Sequence, residues 1–258
     1  MESFVDEIAA LARVDPVEFR LRRLTNPRGV EALKRTAASL GGQPRPSPRP
    51  VDSSAAVLTG RGIAYVHYKH DETLVAMGME VAVERTTGRI RVTRVVCAQD
   101  CGLMINPECV QSQLEGNIIQ TLSRALHEEV VYDRDRVTTV DWATYPILTF
   151  PEVPALEFEL IQRLDQPPLG AGEAASTPVA AALATPCSTR RACDCGRYRS
   201  APSGQRPRWP DADGISVCGV GRPRCNSPRA GTMRARLHWR KSPSLSTAGK
   251  GALPCNWA

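Results

Sequence analysis

An α+β fold is predicted for this 258-residue chain on three observations. Apolar residues recur at helical spacing near the start, then alternate at period two on both sides of a Thr-Gly turn. A capped helix with one apolar stripe follows, ahead of a further strand and a small-residue helix.

The opening helix is marked by Phe4, Ile8 and Leu11. Asp15-Pro16 supplies an N-cap and a first-turn proline for a second helix, and a third is predicted over Gly29–Ser39. These make a helical segment over residues 1–40. "GGQPRPSPRPVDSS" then opens a proline-rich linker, 41–56, whose composition favours spacing over packing.

From Gly60 the pattern is β. Met77, Met79, Val81 and Val83 share one face, and Thr87-Gly88 makes a hairpin turn. "CAQDCGLMINP" reads as the loop leaving the sheet, and Cys97 and Cys101 read as core thiols. Asn106-Pro107-Glu108 is a helix start: cap, proline and an acid at the positive end of the dipole.

The helix that follows, to about Glu128, buries Val110, Leu114, Ile118, Leu122 and Leu126. Gln113, Asn117 and Gln120 form a second stripe, of uncharged amides. The stripe is either a partly exposed shoulder or a row of donors and acceptors turned towards a polar ligand.

Beyond "TVDWATYPIL" a strand places Leu156, Phe158 and Leu160 on one face. Gly170, Ala171 and Gly172 then allow close approach of the backbone to another group. Ser176 or Thr177 is predicted to cap a last helix with Pro178 in its first turn, followed by "VAAALA". Glu173 lies just ahead of that helix, where the dipole favours the anion. Small neighbours leave room beside it, so the residue reads either as an exposed loop acid or as a general base.

Five segments occur in order: "ESFVDEIAALARVDPVEFRLRRL", "GRGIAYVHY", "MEVAVERTTGRIRVTRVVCAQDCGLMINPECVQSQLEGNIIQTLSRALHEEV", "YPIL" and "PPLGAGEAASTPVAAALA". Together they resemble the C-terminal part of the molybdopterin-binding large subunit of the xanthine dehydrogenase/aldehyde oxidase family, in its isoquinoline 1-oxidoreductase or nicotinate dehydrogenase branch. The resemblance covers residues 1–184. It implies that 57–184 form part of the second molybdopterin-binding domain, and that earlier segments of such a subunit would precede Met1.

The resemblance implies a role for three residues. Glu173, in Gly170-Ala171-Gly172-Glu173, would be the catalytic base that takes the proton from a hydroxide on molybdenum, whose oxygen attacks an electron-poor carbon. Gln113, in "QSQLEG", would bind the pterin, and Gly172 would let the backbone approach the cofactor. No residue here is assigned as a direct metal ligand. The implied cofactor is molybdopterin with molybdenum, in its cytosine dinucleotide form. An iron–sulfur small subunit carrying 2Fe-2S clusters is the implied partner, and an aldehyde or N-heterocycle the substrate. Asn117 and Thr121 stand where the family has glycines, placing bulk where close approach to the dinucleotide is expected.

The net charge of +6 is not evenly shared. Residues 185–258 hold fourteen Lys or Arg against three Asp, whereas the first 184 hold 19 basic and 24 acidic side chains. Six of nine cysteines also fall after Ala184. Where the family continues Asn-Ala-Leu-Phe-Asp-Ala-Thr-Gly, codons for Ala184–Ala192 can be chosen that read so from their third base. The tail is therefore expected to be an out-of-frame, disordered segment. Five of these cysteines, Cys187, Cys193, Cys195, Cys218 and Cys225, lack the paired spacing of a zinc site. Its Arg-rich stretches with Trp209 and Trp239 follow from GC-rich codons, so no nucleic-acid partner is expected; binding through this basic tail is the remote alternative.

No run of about eighteen uncharged apolar residues appears, so no membrane span is expected. The opening residues lack the basic and apolar regions of a signal peptide, which points to the cytoplasm. The functional alternative is a non-catalytic remnant that does not bind the cofactor.

Overall fold

The computed structural model describes residues 1–43 and 54–188. Most of the proline-rich linker and all of the tail from Thr189 lie outside the described residues, and with them the expectations of disorder and a shifted frame. The chain runs through helices α1 (Glu2–Leu11), α2 (Pro16–Leu21) and α3 (Pro27–Ser39) into strands β1 (Val57–His67), β2 (Leu74–Glu84) and β3 (Ile90–Asp100). Helix α4 (Pro107–Leu126), strand β4 (Ala155–Leu160) and helix α5 (Val179–Ser188) complete it. The last helix runs to Ser188, four residues past Ala184.

The four strands form one sheet in the order β1-β2-β3-β4. The first three make an antiparallel meander, and β4 joins β3 in parallel, with Cys97 opposite Phe158. A bulge between Glu80 and Val81 shifts the β2–β3 register and bends the hairpin. The predicted turn is present: Gly88 has φ 73° and its N–H donates to the Glu84 carbonyl at 2.8 Å. Strand β3 extends through Cys97, Ala98, Gln99 and Asp100, so the loop expected from Cys97 begins only at Cys101. Pairing with β4 holds this end of β3 in the sheet.

Both faces of the sheet are covered. On one, Ala32 and Leu33 of α3 pack against Ile63, Ala76, Ala98 and Ile161. Gly78 lets α3 press onto β2, since a Cβ there would overlap Leu40 Cδ1. On the other face Met77, Met79, Val81, Val95 and Cys97 meet Leu114, Ile118 and Leu122 of α4 and Val179, Ala182 and Leu183 of α5. Each fully buried Leu, Ile or Met contributes roughly 1.5–3 kcal/mol. Burial pushes the Cys97 thiol up to about 12, as suits a core cysteine.

The three N-terminal helices form where the caps predict. Asp15 accepts from the N–H groups of Val17 and Glu18, and Asn26 caps α3 two residues earlier than expected. The stripe that marked α1 faces outward, however: Phe4 is 59% exposed and Leu11 75%. The helix buries Asp6 and Ala9 instead, because Asp6 pairs with the buried guanidinium of Arg20 at 2.5 Å.

Asp100 fastens α3 to the end of β3. Its fully buried carboxylate binds Arg28 at 2.5 Å and Arg163 at 2.9 Å, and accepts from the Gly102 N–H. Arg163 continues to Glu31 of α3. Burial acts to raise the Asp100 carboxyl, but the two guanidiniums and the amide outweigh it and hold it below the usual carboxylate range.

Candidate active site

Helix α4 starts where the sequence places it, with the Asn106 side chain accepting from the Cys109 N–H. Leu114, Ile118 and Leu122 are buried, and Val110 and Leu126 pack at the rim. This stripe fixes the helix rotation and turns Gln113, Asn117 and Gln120 away from the core. All three line a groove of about 730 Å³, closed on its far side by Trp142, Tyr145, Ile147 and Leu148. That wall is tied to α4: the Leu148 N–H donates to Ser123 Oγ at 3.0 Å and Tyr145 donates to Glu128 at 2.9 Å.

Gly172 closes the same groove. A Cβ on it would lie 3.9 Å from Gln113 Oε1, ordinary contact distance. The segment around it is held by its carbonyls. Thr73 donates to the Gly170 carbonyl at 2.5 Å and Asn117 Nδ2 to the Gly172 carbonyl at 2.7 Å. Ser176 donates back to the Glu173 carbonyl and Thr177 to that of Ala174, each at 2.7 Å. These hydroxyls therefore do not cap α5 as expected. They are spent on a 3-10 turn, Ala174–Ser176, that stands between Glu173 and the helix.

Glu173 is exposed, and its Oε2 accepts from the Tyr68 hydroxyl at 2.6 Å. That bond to the carboxylate raises the Tyr68 phenol above its ordinary value, with desolvation acting in the same direction. Neither Tyr68 nor Thr73 was singled out from the sequence. Both come from the β1–β2 connection, about a hundred residues upstream, and only the pairing of those strands brings them to the loop.

The two expected obstructions behave differently. Asn117 does enter the groove, but it bridges the Gln113 and Gly172 carbonyls. Thr121 is absent from the lining, and its Oγ1 is buried without a partner among the described residues. The amides of Gln113 and Gln120 make no hydrogen bond to another described residue, and the position of a Cβ on Gly116 is open space. A wall of free amides beside a small-residue edge fits a ligand rich in hydrogen-bonding heteroatoms, as a pterin is. Among the described residues no cluster of His, Cys, Asp or Glu could hold a bare metal ion.

Residues 54–154 match the molybdopterin cofactor-binding domain. The chain is 45% identical over 189 residues to a subunit of the nicotinate dehydrogenase of Pseudomonas putida, an alignment covering 71% of this chain and 16% of that one. Identity to the beta subunit of the isoquinoline 1-oxidoreductase of Brevundimonas diminuta is 37% over 173 residues, covering 67% and 21%. The chain belongs to the molybdopterin-binding subunits of the xanthine dehydrogenase family.

Among solved structures, quinoline 2-oxidoreductase of Pseudomonas putida 86 superposes with a TM-score of 0.43 at 30% identity, covering 45% of this chain and 16% of that one. The chain thus spans about a fifth or less of the length of these curated relatives. The matched domain takes in the β-meander, α4 and the far wall of the groove, while Gly172 and Glu173 follow it in sequence. No helix among the described residues is long and apolar enough to cross a membrane.

Proposed function

We propose that this chain supplies the catalytic base and part of the cofactor cradle for oxidative hydroxylation of an aldehyde or an N-heterocycle. The observation that carries this reading is the meeting of Gln113 and Gly172 at one end of the groove, with Glu173 next in the chain. Molybdopterin, as the cytosine dinucleotide, is the fitting cofactor. When bound it supplies the oxidising metal and an activated oxygen nucleophile.

The chain's own residues have separable tasks. Gln113 offers its amide to the pterin, and Gln120 offers another donor–acceptor pair further along the helix. Gly172 keeps the loop free of side-chain bulk where ligand and backbone meet. Glu173 receives a proton at its carboxylate as the oxygen nucleophile forms its bond to carbon. Overall, a substrate C–H and water become C–OH, with two protons released and two electrons passing to the 2Fe-2S clusters of a small-subunit partner. Trp142, Tyr145 and Ile147 give the other side of the groove an aromatic and aliphatic surface against which a planar ligand could lie.

A chimaera in which residues 1–184 replace the matched stretch of the Pseudomonas putida nicotinate dehydrogenase tests this. Glu173→Gln is expected to lower turnover of that enzyme's own substrate by about 10²-fold or more and to leave the molybdenum content unchanged. Near-normal turnover in that variant overturns the assignment. Gln113→Ala should instead lower the amount of molybdenum the chimaera retains.

A further inference from the structure

Glu173 is held by a turn, through Tyr68, that its role as a base does not by itself explain. We propose that Tyr68 is a positioning residue for Glu173, its hydroxyl fixing one carboxylate oxygen so that the side chain is presented in a single orientation. The inference rests on the reading of Glu173 as the functional acid of the site.

Three observations support it. The Tyr68 hydroxyl donates to Glu173 Oε2 at 2.6 Å, while Oε1 takes no hydrogen bond from the described residues. Bonding at one oxygen leaves the other available, which is what a base requires. Tyr68 itself is fixed at its backbone: its N–H donates to the Thr73 carbonyl at 2.9 Å, and its carbonyl accepts from the Glu72 N–H at 3.1 Å. The turn achieves this with two non-glycine residues in the left-handed region, Lys69 at φ 48° and His70 at φ 71°. Such residues persist where the surroundings over-determine the backbone, and they concentrate at functional sites.

The same turn grips the loop a second time, through Thr73 and the Gly170 carbonyl. One connection therefore contacts both the backbone three residues before Glu173 and the carboxylate itself. Lys69 lies over the Tyr68 ring, 5.1 Å from its centroid, and 3.4 Å from Glu72. The charges bearing on the phenol are thus those of Glu173, Lys69 and Glu72.

The test uses the 258-residue chain, labelled with ¹³C at the tyrosine ζ carbon and in its glutamates, and followed by NMR with no cofactor bound. The Tyr68 phenol is expected to titrate above ordinary tyrosine, and Glu173→Gln to shift it downwards while Lys69 and Glu72 remain. Tyr68→Phe is expected to convert the Glu173 side-chain couplings from one fixed rotamer to averaged values, with the thermal midpoint little changed. An unshifted phenol in Glu173→Gln, or a fixed rotamer that persists in Tyr68→Phe, overturns the proposal. Because both readings are taken without turnover, they stand apart from the chimaera. Loss of the base assignment there leaves the pairing intact, and loss of the pairing here leaves the base assignment to its own test.

Discussion

Asn117 on α4 and Gly172 in the loop before α5 are joined by a 2.7 Å hydrogen bond from the side-chain amide to the carbonyl. The bond spans 55 residues of sequence and bridges the helix carrying Gln113 to the loop carrying Glu173. The same amide group also donates to the Gln113 carbonyl one turn back, so a single side chain ties both proposed functional segments.

Removing that amide should loosen the loop. Asn117→Ala removes both hydrogen bonds and gains some helix propensity, and is expected to cost about 1 kcal/mol net. Asn117→Gly should cost roughly 1 kcal/mol more, from glycine in a helix interior. Urea unfolding of the three proteins checks both values. Equal stability of Asn117→Ala and the parent would show that the bridge is not holding the loop.

The Asp100 hub predicts the acid limb of stability. Its carboxyl is held below the usual carboxylate range in the folded chain. Its contribution is therefore complete above the unfolded value of about 3.9 and is lost as pH falls through the lower, folded value. Asp100→Asn leaves two guanidiniums without their shared anion and is expected to cost about 3 kcal/mol at pH 7. The difference between variant and parent should narrow below pH ~4 as the parent's carboxylate is protonated. Unfolding curves across the acid range measure it, and a constant difference would contradict the hub.

Gly102 should tolerate no side chain. Its φ of 73° lies in the left-handed region, and a Cβ would overlap the Pro167 carbonyl oxygen. That atom is backbone and has no rotamer in which to escape. Gly102→Ala is expected to cost about 3 kcal/mol or more, combining strain with displacement of the segment that leads to Gly170. Thermal unfolding reads the loss.

Thiol chemistry should separate the three cysteines of the described region. Cys97 and Cys101 are buried and Cys109 is exposed. Burial raises both core thiols, Cys97 to about 12. At pH 8 iodoacetamide is expected to label Cys109 in the native chain and to reach the other two only after unfolding. Peptide mass spectrometry locates the adducts.

Local chemistry was legible where a residue acts on its neighbours. Asp15 and Asn106 cap the helices they were expected to cap, because an N-cap bond reaches only two or three residues along the chain. The groove face of α4 followed from Leu114, Ile118 and Leu122, since a buried stripe fixes where the amides point. The outward stripe of α1 was not legible, for its rotation is decided by the Asp6–Arg20 pair with another helix. Ser176 and Thr177 look like caps in one dimension, but the turn after Glu173 claims their hydroxyls. Tyr68 lies 105 residues from Glu173, and no spacing rule connects them.

The parallel pairing of β3 with β4 has a kinetic consequence. β1, β2 and β3 are joined by short connections and can zip together from local contacts, whereas β4 must return across the more than fifty residues between Asp100 and Ala155. Closing so long a loop delays that strand, and Gly172 and Glu173 come later still. During synthesis the meander can fold while β3 waits with an open edge, the interval in which association with another chain competes. During synthesis the glutamate loop therefore emerges after both the turn and the helix that it joins.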